Sequence, residues 1–316
     1  MRQPRFVQMH QENNDATRAA IAAGLMGEPA QVDPKYFYDA LGSRLFDAIT
    51  ELPEYYPTRL ERGIFEAHRL DIASALGTGR TLVDLGAGSC QKAASWFDAL
   101  APKRYVAVDI SVQYLEHVLR QLQREHLDLD ILGLGLDFAQ DLNLPADVGD
   151  GERLMFYPGS SIGNFNPEQA LKFLQQARVA AQGGALLIGV DLVKDKTVLE
   201  AAYDDPLQVT AAFNRNLLRR LNVLLGCNAA LEDFTHVALF NEVQSRIEMH
   251  LQASRALTLR WPGGARTLAA GERIHTENSY KYRVEDFDAL LREAGFVQTR
   301  CWTDERRWFA VFTARA

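Results

Sequence analysis

Three carboxylates stand at the ends of short apolar runs: Asp84 in Leu-Val-Asp-Leu, Asp109 in Val-Ala-Val-Asp, and Asp137 directly before Phe138. A strand would deliver each of them to the edge of a sheet. An acid about twenty residues beyond a glycine turn can accept both hydroxyls of a ribose. Another can accept the amino group of adenine while a neighbouring apolar ring covers the base. The turn itself is Gly86-Ala87-Gly88, and glycine belongs where the backbone bends sharply or approaches a ligand. The full dinucleotide fingerprint is missing, because Gln91 occupies the third glycine position. Together the three acids describe an adenosine site without a pyrophosphate cradle, which favours S-adenosylmethionine (SAM) over NAD. Capping a helix is the competing use of Asp109, although Ser111 offers an alternative for that role.

The run Leu154–Tyr157 enters Pro158-Gly159-Ser160-Ser161-Ile162-Gly163-Asn164. Gly159 to Gly163 matches the nucleophile-elbow pattern G-x-S-x-G, in which Ser161 would attack with His236 or His275 as its base. That use leaves the acids and the glycine turn without a purpose. The alternative is a substrate loop whose backbone groups and Asn164 amide face a transferred methyl group. The Asn/Asp-Pro-Pro-Tyr loop of DNA base-amine methylation is missing.

These residues need elements to hold them. Thr81–Leu85, Tyr105–Asp109, Leu127–Leu136, Leu154–Tyr157 and Ala185–Asp191 read as strands, with helical spacing over Ala93–Leu100, Val112–His126 and Pro167–Ala181. Strands alternating with helices predict a parallel sheet covered on both faces, its crevice at the strands' carboxyl ends. Upstream, Thr17–Leu25 and Tyr36–Thr50 carry helical periodicity, and Leu52-Pro53-Glu54-Tyr55-Tyr56-Pro57 interrupts it. Thr58 then reads as the N-cap of a helix to Ala75, with Glu61 completing a capping box. Beyond Asp191 come helices over Lys196–Tyr203 and Thr210–Leu225. Strands over Val237–Asn241, Arg246–Leu251 and Ala256–Trp261 follow, with a turn at Pro262-Gly263-Gly264. A helix over Val284–Ala294 stops at Gly295, before strands Val297–Trp302 and Trp308–Thr313. The expectation is an α/β chain of two parts. Residues 61–194 and 284–316 form a Rossmann-like domain, and residues 1–60 and 195–283 an added α+β module.

Composition bounds the partners. The 316 residues are 47% hydrophobic and 24% charged, as in an ordered globular protein. A net charge of −7 argues against tight non-specific binding to nucleic acid. Cys90, Cys227 and Cys301 lie far apart with no C-x-x-C, which predicts a reducing compartment, no disulfide framework and no zinc site. No secretory apolar stretch follows Met1, and no run is long enough to span a membrane. A cytoplasmic protein with a small-molecule substrate and no metal is expected; its oligomeric state is left open, a monomer included.

Longer motifs carry a resemblance. They run from Tyr36-Phe37-Tyr38-Asp39-Ala40-Leu41-Gly42-Ser43-Arg44-Leu45-Phe46 through Leu52 to Arg59 and Gly159 to Asn164. Ala202-Tyr203-Asp204-Asp205, Thr210 to Asn216, Arg246-Ile247-Glu248-Met249 and Thr276-Glu277-Asn278-Ser279 continue the series in order. Through these motifs nearly the whole chain resembles the histidine-specific SAM-dependent methyltransferase family. The resemblance implies a class I, Rossmann-like methyltransferase fold with an added substrate-binding domain. It implies methylation of the alpha-amino group of free L-histidine, up to three times, giving hercynine on the way to ergothioneine. SAM binding falls to Gly86, Lys92, Asp109, Asp137 and Phe138, with Lys92 pairing with the cofactor carboxylate. Tyr38 and Gly159 fall beside the substrate amine, and Asn164 and Tyr203 at its carboxylate. Tyr55, Glu277 and Ser279 surround the imidazole, with Met249 close to the ring; Tyr38 and Asn164 are the implied catalytic residues. Cys90 and Gln91 fall in a loop that varies in the family, Ala93 replaces a frequent Thr, and Asn278, Tyr280 and Tyr282 differ from the family's type member, which leaves cofactor affinity and the pocket edges open. Methyl transfer from a sulfonium to an amine is an in-line displacement, so the protein aligns the two groups and supplies no nucleophile. A buried Glu277 left without its partner would reject phenylalanine or tryptophan. Two alternatives stand beside this: an acceptor that is another amino acid or a histidine derivative, and a SAM- or amino-acid-binding protein without turnover.

Overall fold

The computed structural model describes residues 2–10, 13–110 and 112–316, so Ser111, the alternative cap, lies outside the described residues. The first seven strands are β1 (Arg5–Gln8), β2 (Ala30–Gln31), β3 (Thr81–Leu85), β4 (Arg104–Asp109), β5 (Asp130–Gly135), β6 (Arg153–Tyr157) and β7 (Ala185–Asp191). The next seven are β8 (Phe234–Asn241), β9 (Arg246–Ala253), β10 (Leu257–Trp261), β11 (Gly264–Leu268), β12 (Arg273–Tyr280), β13 (Val297–Thr303) and β14 (Phe309–Arg315). The chain forms two compact units. One comprises Met1–Gln11, Arg59–Leu192 and Tyr282–Ala316, the other Glu12–Thr58 and Val193–Lys281.

The first unit is built on a sheet in the order β1-β5-β4-β3-β6-β7-β14-β13. β1 to β7 within it run parallel, whereas β14 is antiparallel to β7 and to β13. The strand order reverses between β3 and β6, which opens a crevice at their carboxyl ends. Alternate residues feed two cores. Val83, Val106, Val108, Leu132 and Ile188 pack with Phe173, Leu174, Phe287 and Leu291 from helices Pro167–Ala180 and Val284–Glu293. Leu82, Tyr105, Ile131, Leu154 and Leu187 turn the other way, onto Ile64, Ile72, Trp96, Leu115 and Leu119. Each such buried side chain contributes about 1.5–3 kcal/mol.

Several boundaries differ from expectation for local reasons. β5 starts at Asp130 rather than Leu127, because the Gln123 amide donates to the carbonyls of His126 and Leu129 and holds that segment as a turn. With Thr58 as its N-cap the helix would open at Arg59; it opens two residues earlier, at Pro57, whose missing N–H suits a first helical position. It breaks at His68 into Pro57–Ala67 and Arg69–Leu76, and Glu61 makes no capping box. Ala93–Leu100 resolves into two short helices, Gln91–Ala94 and Phe97–Leu100.

The second unit carries the sheet β2-β12-β9-β8 and a separate hairpin of β10 and β11, closed by Pro262 and a left-handed Gly263 (φ +87°). Helix Val209–Leu225 packs on β8 and β9 and on helix Ala40–Thr50. The Asp205 carboxylate holds its start, accepting the N–H groups of Val209 at 3.0 Å and Thr210 at 2.8 Å. Gly226, at φ +72°, ends it by returning its N–H to the Leu221 carbonyl. No helix among the described residues is long and apolar enough to cross a membrane.

Candidate active site

In the first unit, β3 delivers the chain into Gly86 and Gly88, both at positive φ (+72° and +50°). The N–H groups of Gly86 and Ala87 donate to the Val108 carbonyl at 2.9 and 3.0 Å, which straps the turn to the end of β4. Asp109 follows, accepting the Ile110 N–H at 2.7 Å and the Gly88 N–H at 3.4 Å. A Cβ on Gly86 would lie 3.7 Å from the Phe138 ring, so that ring closes over the turn. Phe138 is braced edge-on by Tyr157, ring centroids 5.8 Å apart, and Asp137 accepts the Gln140 amide. Asp84 is turned inward instead. It is 3% exposed and accepts the Tyr105 hydroxyl at 2.7 Å. Burial raises its pKa to about 7, against the opposing pull of that hydroxyl and of Lys92.

Lys92 lies 2.6 Å from Glu61 Oε2, and Glu61 Oε1 accepts the Gly159 N–H at 2.7 Å. Glu61 is 1% exposed. A Cβ on Gly159 would stand 3.4 Å from Lys92 Nζ, so the ammonium sits against the loop backbone. Gly189 makes room for this carboxylate, since a Cβ there would overlap Glu61 Oε1. One buried acid thus holds both Lys92 and the loop that carries Asn164. Asn164 itself ends the 3₁₀ turn Ser161–Asn164, half-buried. Ser161 donates to the Pro158 carbonyl at 3.3 Å. His236 donates from Nε2 to the Tyr203 carbonyl and accepts the Asn214 amide at Nδ1, so its acceptor nitrogen is filled. His275 bonds the Glu277 carbonyl through Nε2. The histidines offered as a base for Ser161 are therefore engaged within the second unit, and the hydrolase relay has no support.

In the second unit, the Tyr203 hydroxyl donates to Ser279 Oγ at 2.8 Å. Lys281 Nζ donates to Ser279 Oγ at 2.8 Å and to the Tyr203 oxygen at 3.2 Å. All three side chains are buried. A row of rings leads to them: Tyr38 to Phe46 at 5.8 Å, Phe46 to Tyr55 at 6.2 Å, and Tyr55 to Tyr203 at 6.2 Å. Tyr38, at the head of the row, is 47% exposed. Glu277 pairs across the sheet with the buried Met249. A register shift between His275 and Glu277 leaves Thr276 as the extra residue of a bulge, and Glu277, Ser279 and Lys281 share one face beyond it. Protein packed round the Glu277 carboxyl raises its pKa to about 7, although solvent still reaches part of the side chain, and the charge of Lys281 pulls it back down. Tyr280 and Asn278 lie on the opposite face, where Arg246 bonds both the Tyr280 hydroxyl and Glu248, each at 2.6 Å.

Sequence reasoning misses Glu61, Lys281 and the ring of Phe46. For Lys281 a signal exists, since Glu277, Ser279 and Lys281 recur at every second position. For Glu61 the local pattern points to a cap and away from the site.

A parallel sheet with one switch point, a glycine turn at that point and an acid ending the neighbouring strand is the class I, Rossmann-like fold of SAM-dependent methyltransferases. Within that class, the chain belongs to the histidine-specific, SAM-dependent methyltransferase family, whose sequence signature matches residues 17–316. It is 40% identical over 309 residues to the histidine N-alpha-methyltransferase of Mycobacterium tuberculosis, covering 95% of this chain and 94% of that one. The histidine N-alpha-methyltransferase of Mycolicibacterium smegmatis is 41% identical, with 95% of each chain covered. Ergothioneine biosynthesis protein 1 of Neurospora crassa is 31% identical over 87% of this chain, which spans 32% of that protein.

Proposed function

We propose that the protein methylates the alpha-amino nitrogen of free L-histidine up to three times, giving N-alpha-trimethylhistidine (hercynine), as a step of ergothioneine biosynthesis in the cytoplasm. The unit of Arg59–Leu192 and Tyr282–Ala316 acts as the cofactor domain, and Glu12–Thr58 with Val193–Lys281 as the substrate domain; the leading residues expected with the latter belong to the former, because β1 pairs with β5. The residues in the first fit SAM: a turn open to glycine at Gly86 and Gly88, the carboxylates of Asp109 and Asp137, and the Phe138 ring against the turn. Lys92, beside Gly159, would pair with the cofactor carboxylate. SAM, when bound, supplies an electrophilic methyl carbon.

The chain's own residues position the amine. Gly159 and Tyr38 hold it, Asn164 and Tyr203 take the substrate carboxylate, and a water on the Tyr38 hydroxyl carries protons away from the first two amines. Alignment of this kind supplies a large share of the rate, about 7–11 kcal/mol in favourable cases. Tyr55, Met249, Glu277 and Ser279 surround the ring. The observation that carries the choice of histidine is the buried set of Ser279, Tyr203 and Lys281 at the end of an aromatic row, with Glu277 on the same face of β12. Polar groups so enclosed demand a ring with polar edges, because a phenyl ring would leave them unmatched. The test is incubation with SAM and a panel of amino acids, read by mass spectrometry. Histidine is expected to gain one, two and three methyl groups. Preferred methylation of another amino acid, or no S-adenosylhomocysteine formed with any of them, would overturn the proposal.

A further inference from the structure

A serine hydroxyl has one proton to give and two lone pairs to fill. In Ser279 both lone pairs are filled from within the second unit, by the Tyr203 hydroxyl at 2.8 Å and the Lys281 ammonium at 2.8 Å. No acceptor among the described residues takes the Ser279 proton. An ammonium cannot accept a hydrogen bond, and Lys281 also donates to the Tyr203 oxygen at 3.2 Å, which favours Tyr203 as the donor to Ser279 and leaves Ser279 to turn its own proton outward. Glu277, two residues earlier on the same face of β12, offers an acceptor oxygen whether ionised or protonated. A donor beside an acceptor matches a ring offering one lone pair and one N–H. Neutral imidazole is such a ring, whereas imidazolium presents two donors and no acceptor. Charge points the same way. The Lys281 ammonium already brings one positive charge to this cluster, and a cationic ring would add a second.

We propose that Lys281 is a positioning residue: it fixes Ser279 as the hydrogen-bond donor of the pocket and thereby selects the neutral imidazole of the substrate. This rests on the histidine reading, with the ring lying against Glu277 and Ser279.

The test compares histidine with the pyrrolylalanines, whose ring keeps its size and an N–H but has no lone pair; both positional isomers are used. The unaltered protein is expected to prefer histidine over the better isomer by about 10- to 100-fold in kcat/KM, the effect of leaving a buried donor unmatched. Lys281→Met keeps the stem and removes the ammonium, so Ser279 can turn its proton back onto Tyr203. The preference should then shrink to about threefold or less. An equal loss for both substrates, with the preference unchanged, is the signature of a purely structural lysine and overturns the proposal. So does the absence of any preference in the unaltered protein.

A second readout needs no variant. Ring-labelled ¹⁵N-histidine, bound to the protein with S-adenosylhomocysteine at about pH 6, is expected to show one protonated and one unprotonated nitrogen, below the free imidazole pKa of about 6.5. Two protonated nitrogens overturn the proposal. Glu277→Ala separates the two levels. Unchanged histidine kinetics in that variant mean that the ring lies elsewhere, and both readings fall. Weakened histidine kinetics there, with the preference intact in Lys281→Met, sink the role of Lys281 alone.

Discussion

Glu61→Gln separates the two bonds that this buried carboxylate makes. The amide oxygen can keep the Gly159 N–H, now held at 2.7 Å. The amide nitrogen replaces the oxygen that stands 2.6 Å from Lys92 Nζ, so two donors meet. Lys92 has somewhere to go, because its side chain is 39% exposed. The loss is therefore one charge-assisted hydrogen bond, worth about 1.5–3 kcal/mol when shielded. Water at the lysine end reduces this to about 1–2 kcal/mol. At about 2–4 °C per kcal/mol for a domain of this size, the unfolding midpoint should drop by roughly 2–8 °C. With Lys92 holding the SAM carboxylate as proposed, losing its fixed position should raise the KM for SAM by up to about 30-fold. The kcat should stay within about threefold, because Gly159 keeps its partner. Glu61→Ala frees Gly159 as well and should lower kcat by at least about tenfold. Initial rates of S-adenosylhomocysteine formation, with SAM varied at saturating histidine, give both constants. An unchanged KM for SAM in the glutamine variant, or an alanine variant no worse than it, would refute the bridging role.

Gly189→Ala would push a methyl into Glu61 Oε1 and to 3.0 Å from the Phe309 ring. Overpacking of this kind costs about 1–3 kcal/mol, so a lower melting point and a raised KM for SAM are expected together; a variant equal to the parent would show that Glu61 does not need the space. Burial raises the Asp84 and Glu277 carboxyls to about 7. Each holds an extra proton in the folded state, so its contribution to stability is full below the ordinary values of 3.8 and 4.5 and is lost as pH rises through about 7. Asp84→Asn and Glu277→Gln should each flatten that decline in denaturant unfolding between about pH 4 and about pH 8; a slope unaltered by both substitutions would contradict the assignment. Thr276→Val keeps the side-chain shape but removes the hydroxyl that bonds Asn214 Oδ1 at 2.9 Å and the Met249 carbonyl at 3.0 Å. A loss of about 1–2 kcal/mol is expected, with histidine affinity falling and SAM affinity holding. The reverse pattern would show that the bulge does not aim Glu277.

Much of the first unit is legible in the sequence because its parallel strands are buried on both faces and read as continuous apolar runs. β3, β4, β6 and β7 fall within a residue or so of expectation, and the glycine turn and Asp109 lie close enough along the chain for spacing to connect them. β1 escapes because it has only four residues, Arg-Phe-Val-Gln, too few to show a period. Glu61 escapes for another reason. Its partners Lys92 and Gly159 are 31 and 98 positions away. Thr58 three residues before it offers a complete local explanation as a capping box. Only burial distinguishes the two uses, and burial is a property of the fold.

The polar pocket of the second unit escapes pattern altogether, and the resemblance alone brings its residues to notice. β12 is mostly polar, and its period breaks in the middle. Strict alternation from the buried Ile274 would place Thr276, Asn278 and Tyr280 on the face shared with Leu251 and Met249. The register shift after His275 hands that face to Glu277 and Ser279 instead, with Lys281 continuing the alternation beyond the strand. One inserted residue therefore decides which side chains share that face, and the sequence on either side of it reads out of phase. The same shift carries Asn278 and Tyr280 to the side of Glu248 and Arg246. Those two positions, read in the sequence as pocket edges, sit behind the strand from Glu277. Their variation bears on the packing of that outer face, whereas the proposed ring specificity rests on Glu277, Ser279 and Lys281 on the other face.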